Sequence, residues 1–175
     1  ASAEYTNAVT DLITGYPFSS LERLSGKCIN IPADSIYREL VPFGPAFQNI
    51  VGDISLSSEG ALAYLSGGNN SVDYHILGSP FPLDAAMHVA CVWAQRYTYV
   101  VPFPIGFDKR IIYQKTKLEG NYLCRIVPVK FATEPFIFNI WIFDLQDNIC
   151  EVIEGLQMRD VSRGRRKPPA WIKET

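Results

Sequence analysis

The sequence predicts an α+β domain in which a curved antiparallel sheet wraps one long central helix. Three observations predict it. First, GSPFPLDAAMHVACVWAQRY, residues 78–97, is apolar on opposite sides of a helix: Leu83, Met87, Ala90, Cys91 and Ala94 share one stripe, and Val89, Val92 and Trp93 face the other way. A helix apolar all round must be buried all round. Second, four segments rich in Ile, Val, Phe and Tyr follow it, separated by turn residues, as in an antiparallel meander. Third, shorter strand-like segments precede it.

The elements follow in order. TNAVTDLITGY has apolar residues at Val9, Leu12 and Ile13 with Gly15 as a stop, which predicts a short helix. PFSSLERLSG reads as a loop with a helical turn. GKCINIP, residues 26–32, is an edge strand ended by Pro32. Asp34 or Ser35 can cap a helix running to Glu39, and Pro42 stops it. FGPAFQNI is a turn and a short helix in which Phe47 packs. VGDISLSSEGALAYLSGGNN is a strand, a turn at Glu59-Gly60 and a second strand. SVDYHILGSP is a strand end feeding the long helix, on which Trp93 and Tyr97 are expected in the core. YVVPFPIGFDKRIIYQK, GNYLCRIVPVKFA, FIFNIWIFDLQD and NICEVIEGLQMRDV are the four strands. In the third, Phe136, Phe138, Ile140 and Ile142 share one face, and Ile137, Asn139, Trp141 and Phe143 share the other. Such a strand lies mid-sheet, covered twice. A curved sheet around one central helix is the hotdog architecture.

Composition sets bounds on function. At 175 residues a folded chain buries roughly 70% of its unfolded surface, enough for a full core. A hydrophobic fraction of 47% and an aromatic fraction of 13% exclude disorder. A net charge of −2 gives no general footprint for nucleic acid or an anionic membrane. The basic run RGRRK, Arg163 to Lys167, reads as a solvated tail, with a docking patch for an acidic partner as the alternative. No apolar stretch reaches the ~18 residues of a membrane span. Cys28, Cys91, Cys124 and Cys150 form no C-x-x-C pair, which suits reduced, buried thiols in the cytoplasm. The opening ASAEYTNAV has no basic or apolar leader region, so no secretory leader is expected. The two histidines, His75 and His88, fall on different elements and no carboxylate pair has ligand spacing, so no metal site is expected.

Asp84 and His88 stand out on the central helix. They are four residues apart, so they lie on one face. Two accounts are open. An Asp in the first turn is favoured by the helix dipole and by capping, with His88 as a structural partner. Alternatively, the apolar residues around Asp84 raise its pKa so that it can act as an acid near neutral pH. Asp73, Tyr74 and His75 approach the helix start and are read as a strand end that could rim a pocket.

Three stretches together resemble the polyketide synthase dehydratase family. IYRELVPFGPAFQNI is similar to its Y-x-x-L-x-x-x-G-x-x-Y-G-P-x-F-Q segment, with Phe43 for the usual Tyr. SPFPLDAAMH is similar to its H-P-x-x-L-D-x-x-x-Q/H helix start, with Ser79 for the usual His. NIWIFDLQDNICEVIEGLQMRDV resembles its closing strand pair, joined by a D-x-x-G turn. The resemblance spans roughly residues 26–161 and is confined to the second, C-terminal, of the family's two tandem hotdogs. The H-x-x-x-G-x-x-x-x-P motif that carries the base histidine of the first has no counterpart here. The expected organisation is an N-terminal segment 1–25, a hotdog at 26–161 and a basic tail at 162–175.

The resemblance implies a fatty acid or polyketide synthase type dehydratase acting on 3-hydroxyacyl thioesters of acyl carrier protein or coenzyme A, with no cofactor. Asp84 would be the acid and His88 its orienter, while Phe43, Gly44, Pro45, Pro82 and Leu83 would line the substrate tunnel. A lone hotdog leaves apolar surface and a sheet edge uncovered, so a second hotdog, self or base-bearing, is the expected partner. A non-catalytic acyl-binding or scaffold module and a hotdog thioesterase are the alternatives.

Overall fold

The computed structural model describes residue 18, residues 20–69 and residues 76–174. The helix expected around Val9 to Ile13, and Asp73, Tyr74 and His75, lie outside the described residues.

Eight strands form one antiparallel sheet: β1 (Ile29–Pro32), β2 (Ile50–Ser57), β3 (Gly60–Ser66), β4 (Phe103–Gly106), β5 (Lys109–Ile112), β6 (Asn121–Lys130), β7 (Phe136–Asp144) and β8 (Ile149–Arg159). Their order is β1-β2-β3-β6-β7-β8-β4, with β5 also on β8. Helix α1 (Ala33–Ser35) runs on as a π-helical turn, Ile36–Leu40, closed by the Val41 N–H donating to the Ile36 carbonyl at 2.8 Å. Helix α2 (Phe81–Thr98) is the long central helix, and α3 (Trp171–Glu174) closes the tail. This is the α+β hotdog expected, with α2 buried from Phe81 through Gln95 except at Asp84 and Met87.

Strand β7 is covered on both faces, as its composition requires. Phe136, Phe138, Ile140 and Ile142 join the core around α2. Trp141 and Phe143 form a second cluster with Val127, Val152 and Phe18 on the outer face. Phe18 meets Trp141 edge-on at 5.2 Å and lies 4.9 Å from the Arg125 guanidinium. Arg125 is fully buried and pairs with Glu59 at 2.9 Å, so burial does not leave its charge uncompensated.

Several expectations are corrected. The segment expected as one strand after α2 is two, β4 and β5, both on β8. Gly155 has φ +66°, and its missing Cβ leaves room for the Asp108 carboxylate between the two strands. Asp34 and Ser35 do not cap α1, whose N-cap is Pro32. Residues 20–25 carry no helical turn. Phe47 is 46% exposed, and Tyr97 is 37% exposed although it stacks on Trp93. Cys28 is exposed, unlike the other three cysteines. The basic run Arg163 to Lys167 is exposed, while beyond it Ile172 is fully buried, Trp171 donates to Glu39, and Arg96 donates to the Lys173 carbonyl at 2.7 Å.

Gly60 has φ +149° at the β2–β3 turn, and a Cβ there would run into the Ile126 carbonyl oxygen. Gly60→Ala should cost about 2–3 kcal/mol by urea denaturation. Gly44→Ala, where a Cβ meets nothing within 4 Å, should stay within about 0.5 kcal/mol.

Candidate active site

The start of α2 is held by a chain of polar contacts that reaches the far strand of the sheet. Ser79 is 1% exposed. Its hydroxyl donates to the Gly67 carbonyl at 2.6 Å, and its backbone exchanges two 2.8 Å hydrogen bonds with Thr116. The Thr116 hydroxyl also lies 3.4 Å from the carboxylate of Glu151, which is buried on β8 and paired with Arg110 at 2.7 Å. The N-cap of α2 is Pro80, with no side-chain cap. Asp84 is therefore not the cap, and its backbone N–H already bonds the Pro80 carbonyl at 3.1 Å.

With capping set aside, the Asp84 carboxylate faces His88. Oδ2 lies 3.4 Å from His88 Nε2, and the His88 side chain is 7% exposed against 36% for Asp84. The contact is close but lacks hydrogen-bond geometry: among the described residues neither Asp84 Oδ2 nor His88 Nδ1 has a hydrogen-bond partner. Phe43 stacks on the imidazole at 4.7 Å and 18°, and Tyr37 meets it edge-on at 5.9 Å. The imidazole is thus fixed between two aromatic rings. The Tyr37 hydroxyl accepts the Ile50 N–H at 2.9 Å, and burial pushes its pKa up to about 12.

Desolvation acts on both groups. It pushes the Asp84 carboxyl up to about 6 and the His88 imidazole down to about 4. Each neutral form is favoured because burial penalises charge. Around pH 6 a large fraction of Asp84 is therefore a neutral acid, while His88 is a neutral ring and a weak base.

A cavity of about 280 Å³ opens beside this pair. Its walls are the 40–43 segment, the stripe Asp84, Met87, His88 and Cys91 on α2, the 101–104 segment after α2, and Arg166. A larger opening of about 510 Å³, around Lys115, Lys117 and Asp144, is polar and does not include Asp84. The smaller cavity is the candidate site because it holds the desolvated carboxyl in an apolar wall.

The structure brings together Asp84, His88 and Phe43 of the expected site residues. Gly44 and Pro45 lie in the exposed turn beyond Phe43, and Pro82 and Leu83 are buried in the first turn of α2; none of these four lines the cavity. Tyr37, Met87, Cys91, the 101–104 segment and Arg166 were not singled out as site residues. Helical spacing signals two of them, since Met87 and Cys91 stand three and seven residues after Asp84 on one stripe. Arg166 belongs to the basic run noted at the tail.

The fold is that of a hotdog domain. The family model described as polyketide synthase dehydratase N-terminal domain matches residues 31–168, and the chain belongs to that family. Solved dehydratase domains share the fold. That of RzxB from Pseudomonas fluorescens is 18% identical with a TM-score of 0.60, over 82% of this chain and 52% of that one. The dehydratase domain of the CurK module of curacin polyketide synthase is 20% identical with a TM-score of 0.59, over 74% and 47%. The dehydratase domain of PpsC from Mycobacterium tuberculosis, solved in complex with C12:1-CoA, is 18% identical with a TM-score of 0.57, over 82% and 55%. The chain spans about half the length of these domains. Among curated proteins none matches. No described helix is long and apolar enough to cross a membrane.

The two shifted groups affect stability in opposite senses. Asp84 is raised from 3.8 to about 6, so its favourable contribution to folding is full below its unfolded value and is lost as pH rises through 6. His88 is lowered from 6.5 to about 4, so its contribution is full above 6.5 and is lost as pH falls through 4. Asp84→Asn removes only the first effect. After solvent screening of a side chain that is 36% exposed, the variant should exceed the wild type by on the order of 1 kcal/mol above pH 6. The gain should vanish toward pH 4, as read by urea denaturation at each pH.

Proposed function

We propose that this chain is the acid-bearing half of a dehydratase acting on 3-hydroxyacyl thioesters carried by acyl carrier protein or coenzyme A. The observation that carries the reading is the Asp84 carboxyl, raised to about 6 in the wall of a largely apolar cavity and set against a neutral His88. In the reaction a base removes the α-proton, the C–O bond at the β-carbon breaks, and Asp84 protonates the departing hydroxyl. Water and a 2-enoyl thioester result. His88 orients Asp84; a buried imidazole held down to about 4 is a poor base near pH 7.

The base then comes from a second hotdog, in this protein's own longer chain or in a partner, possessing the H-x-x-x-G histidine. Two facts favour this. The chain covers about half of the solved dehydratase domains, and its only other histidine is His75. The matching family description names the N-terminal domain, whereas the D-x-x-x-H start of α2 argues for the second, acid-bearing fold. The acyl-CoA complex of the PpsC domain supports an acyl thioester as the ligand class. The weak basicity of His88 also favours a second reading, in which the chain alone is a non-catalytic acyl-binding module. A cytoplasmic setting is in keeping with four free cysteines.

A dehydration assay tests the proposal. With a 3-hydroxyacyl pantetheine thioester, the chain alone should be inactive, and adding a hotdog that carries the base histidine should produce 2-enoyl thioester. Asp84→Asn in that mixture should lower the rate at least about 100-fold. Dehydration by the chain alone that survives Asp84→Asn would contradict the assignment, and release of free thiol would indicate a thioesterase instead.

A further inference from the structure

We infer that the cavity beside Asp84 measures acyl-chain length, and that Cys91, braced by Gln95, forms its floor. The inference deepens the dehydratase reading and rests on it. Asp84, Met87, His88 and Cys91 share one stripe of α2 and one side of the cavity. Cys91 lies two turns beyond Asp84, about 10 Å along the axis. The next residue on that stripe, Gln95, is 1% exposed and outside the cavity lining.

The polar contacts at this level close the groove. The Cys91 thiol donates to the Pro102 carbonyl at 3.1 Å, tying α2 to the segment after it. The Gln95 amide donates to the Leu40 carbonyl at 3.0 Å and lies 3.4 Å from Cys91 Sγ, tying α2 to the segment on the other side. The two walls of the cavity, 40–43 and 101–104, are thus drawn onto the helix one turn apart. Above that floor Val41, Met87, Val101, Pro102 and Phe103 suit hydrocarbon, and Arg166 is the cation of the lining. Burial holds the Cys91 thiol up to about 12, so it is a neutral wall and not a nucleophile.

Size then bounds the occupant. The cavity is about 280 Å³, and a methylene takes roughly the ~30 Å³ share of a water molecule, so about nine such groups are the ceiling. With the hydroxyl-bearing carbon at Asp84 and the distal carbons running toward Cys91, an acyl chain of about six to eight carbons fits.

The test is calorimetric binding of unbranched 3-hydroxyacyl pantetheine thioesters from four to twelve carbons, beside the same series lacking the hydroxyl. Affinity should rise about fourfold per methylene while the chain is being buried and stop rising near eight carbons. Cys91→Ala should move the break to longer chains by about one carbon, and Cys91→Leu should move it to shorter ones. A series that tightens through twelve carbons, one with no length dependence, or a break that neither variant moves overturns the inference; the wild-type series alone decides the first two. The dehydratase reading is scored separately, by a preference for the hydroxylated series that Asp84→Asn abolishes. That preference without a break sinks only the length measurement, and a break without that preference sinks only the role given to Asp84.

Discussion

Small side chains let α2 sit directly on the sheet. Ala85, Ala86, Ala90 and Ala94 on the helix have no exposed surface, and Ala61 and Ala63 on β3 have 0% and 1%. Close approach leaves no layer for water between helix and sheet. The largest side chain of the helix, Trp93, satisfies its indole N–H on the Ser57 carbonyl at 2.8 Å, so a bulky group is buried without an orphaned donor. Every polar group on this helix is judged against that dry surface. Gln95 is buried with its amide bonded, while Asp84 is the carboxyl that the enclosure leaves at the cavity wall. Its raised pKa and the lowered one of His88 are two consequences of one desolvation.

Desolvation alone gives a shifted pKa but not a fixed geometry. Geometry comes from anchoring at both ends of the stripe. Ser79, Thr116 and Glu151 fix where α2 begins, and Cys91 and Gln95 fix its flanking walls two turns later. Between them His88 is trapped by Phe43 and Tyr37. Ser79 occupies the place of the histidine usual in the family segment, and it works here as a buried hydroxyl bonded to Gly67. Phe43 occupies the place of the usual Tyr and presents a ring face to His88. Both departures change which polar atoms surround the helix start.

Much of this was legible in the residues because it follows from periodicity. The all-round apolar α2, the twice-covered β7 and the β6–β7–β8 meander each announce themselves by pattern. Asp84 and His88 were legible because a carboxyl and an imidazole one turn apart conflict with an apolar helix. What was not legible depends on distant residues. The split between β4 and β5 needs the Gly155 gap opposite Asp108. The docking of Ile172 and Trp171 onto α2 and Glu39 joins parts of the chain far apart in sequence. The cavity walls at 101–104 and Arg166 likewise come from segments whose proximity to Asp84 is set by the tertiary fold. Expectations for Phe47 and Tyr97 failed for a related reason: apolar character predicts a preference for burial, and these two lie where the described residues do not cover them fully.

The account stands on a carboxyl whose environment, and not its neighbours' charges, decides its protonation. Carbon-13 NMR titration of the Asp84 carboxyl in the folded chain reads this directly. The account predicts a midpoint near 6. A midpoint at the ordinary aspartate value, about 4, would mean that the carboxyl is hydrated, and the acid assigned to this helix would be lost with it.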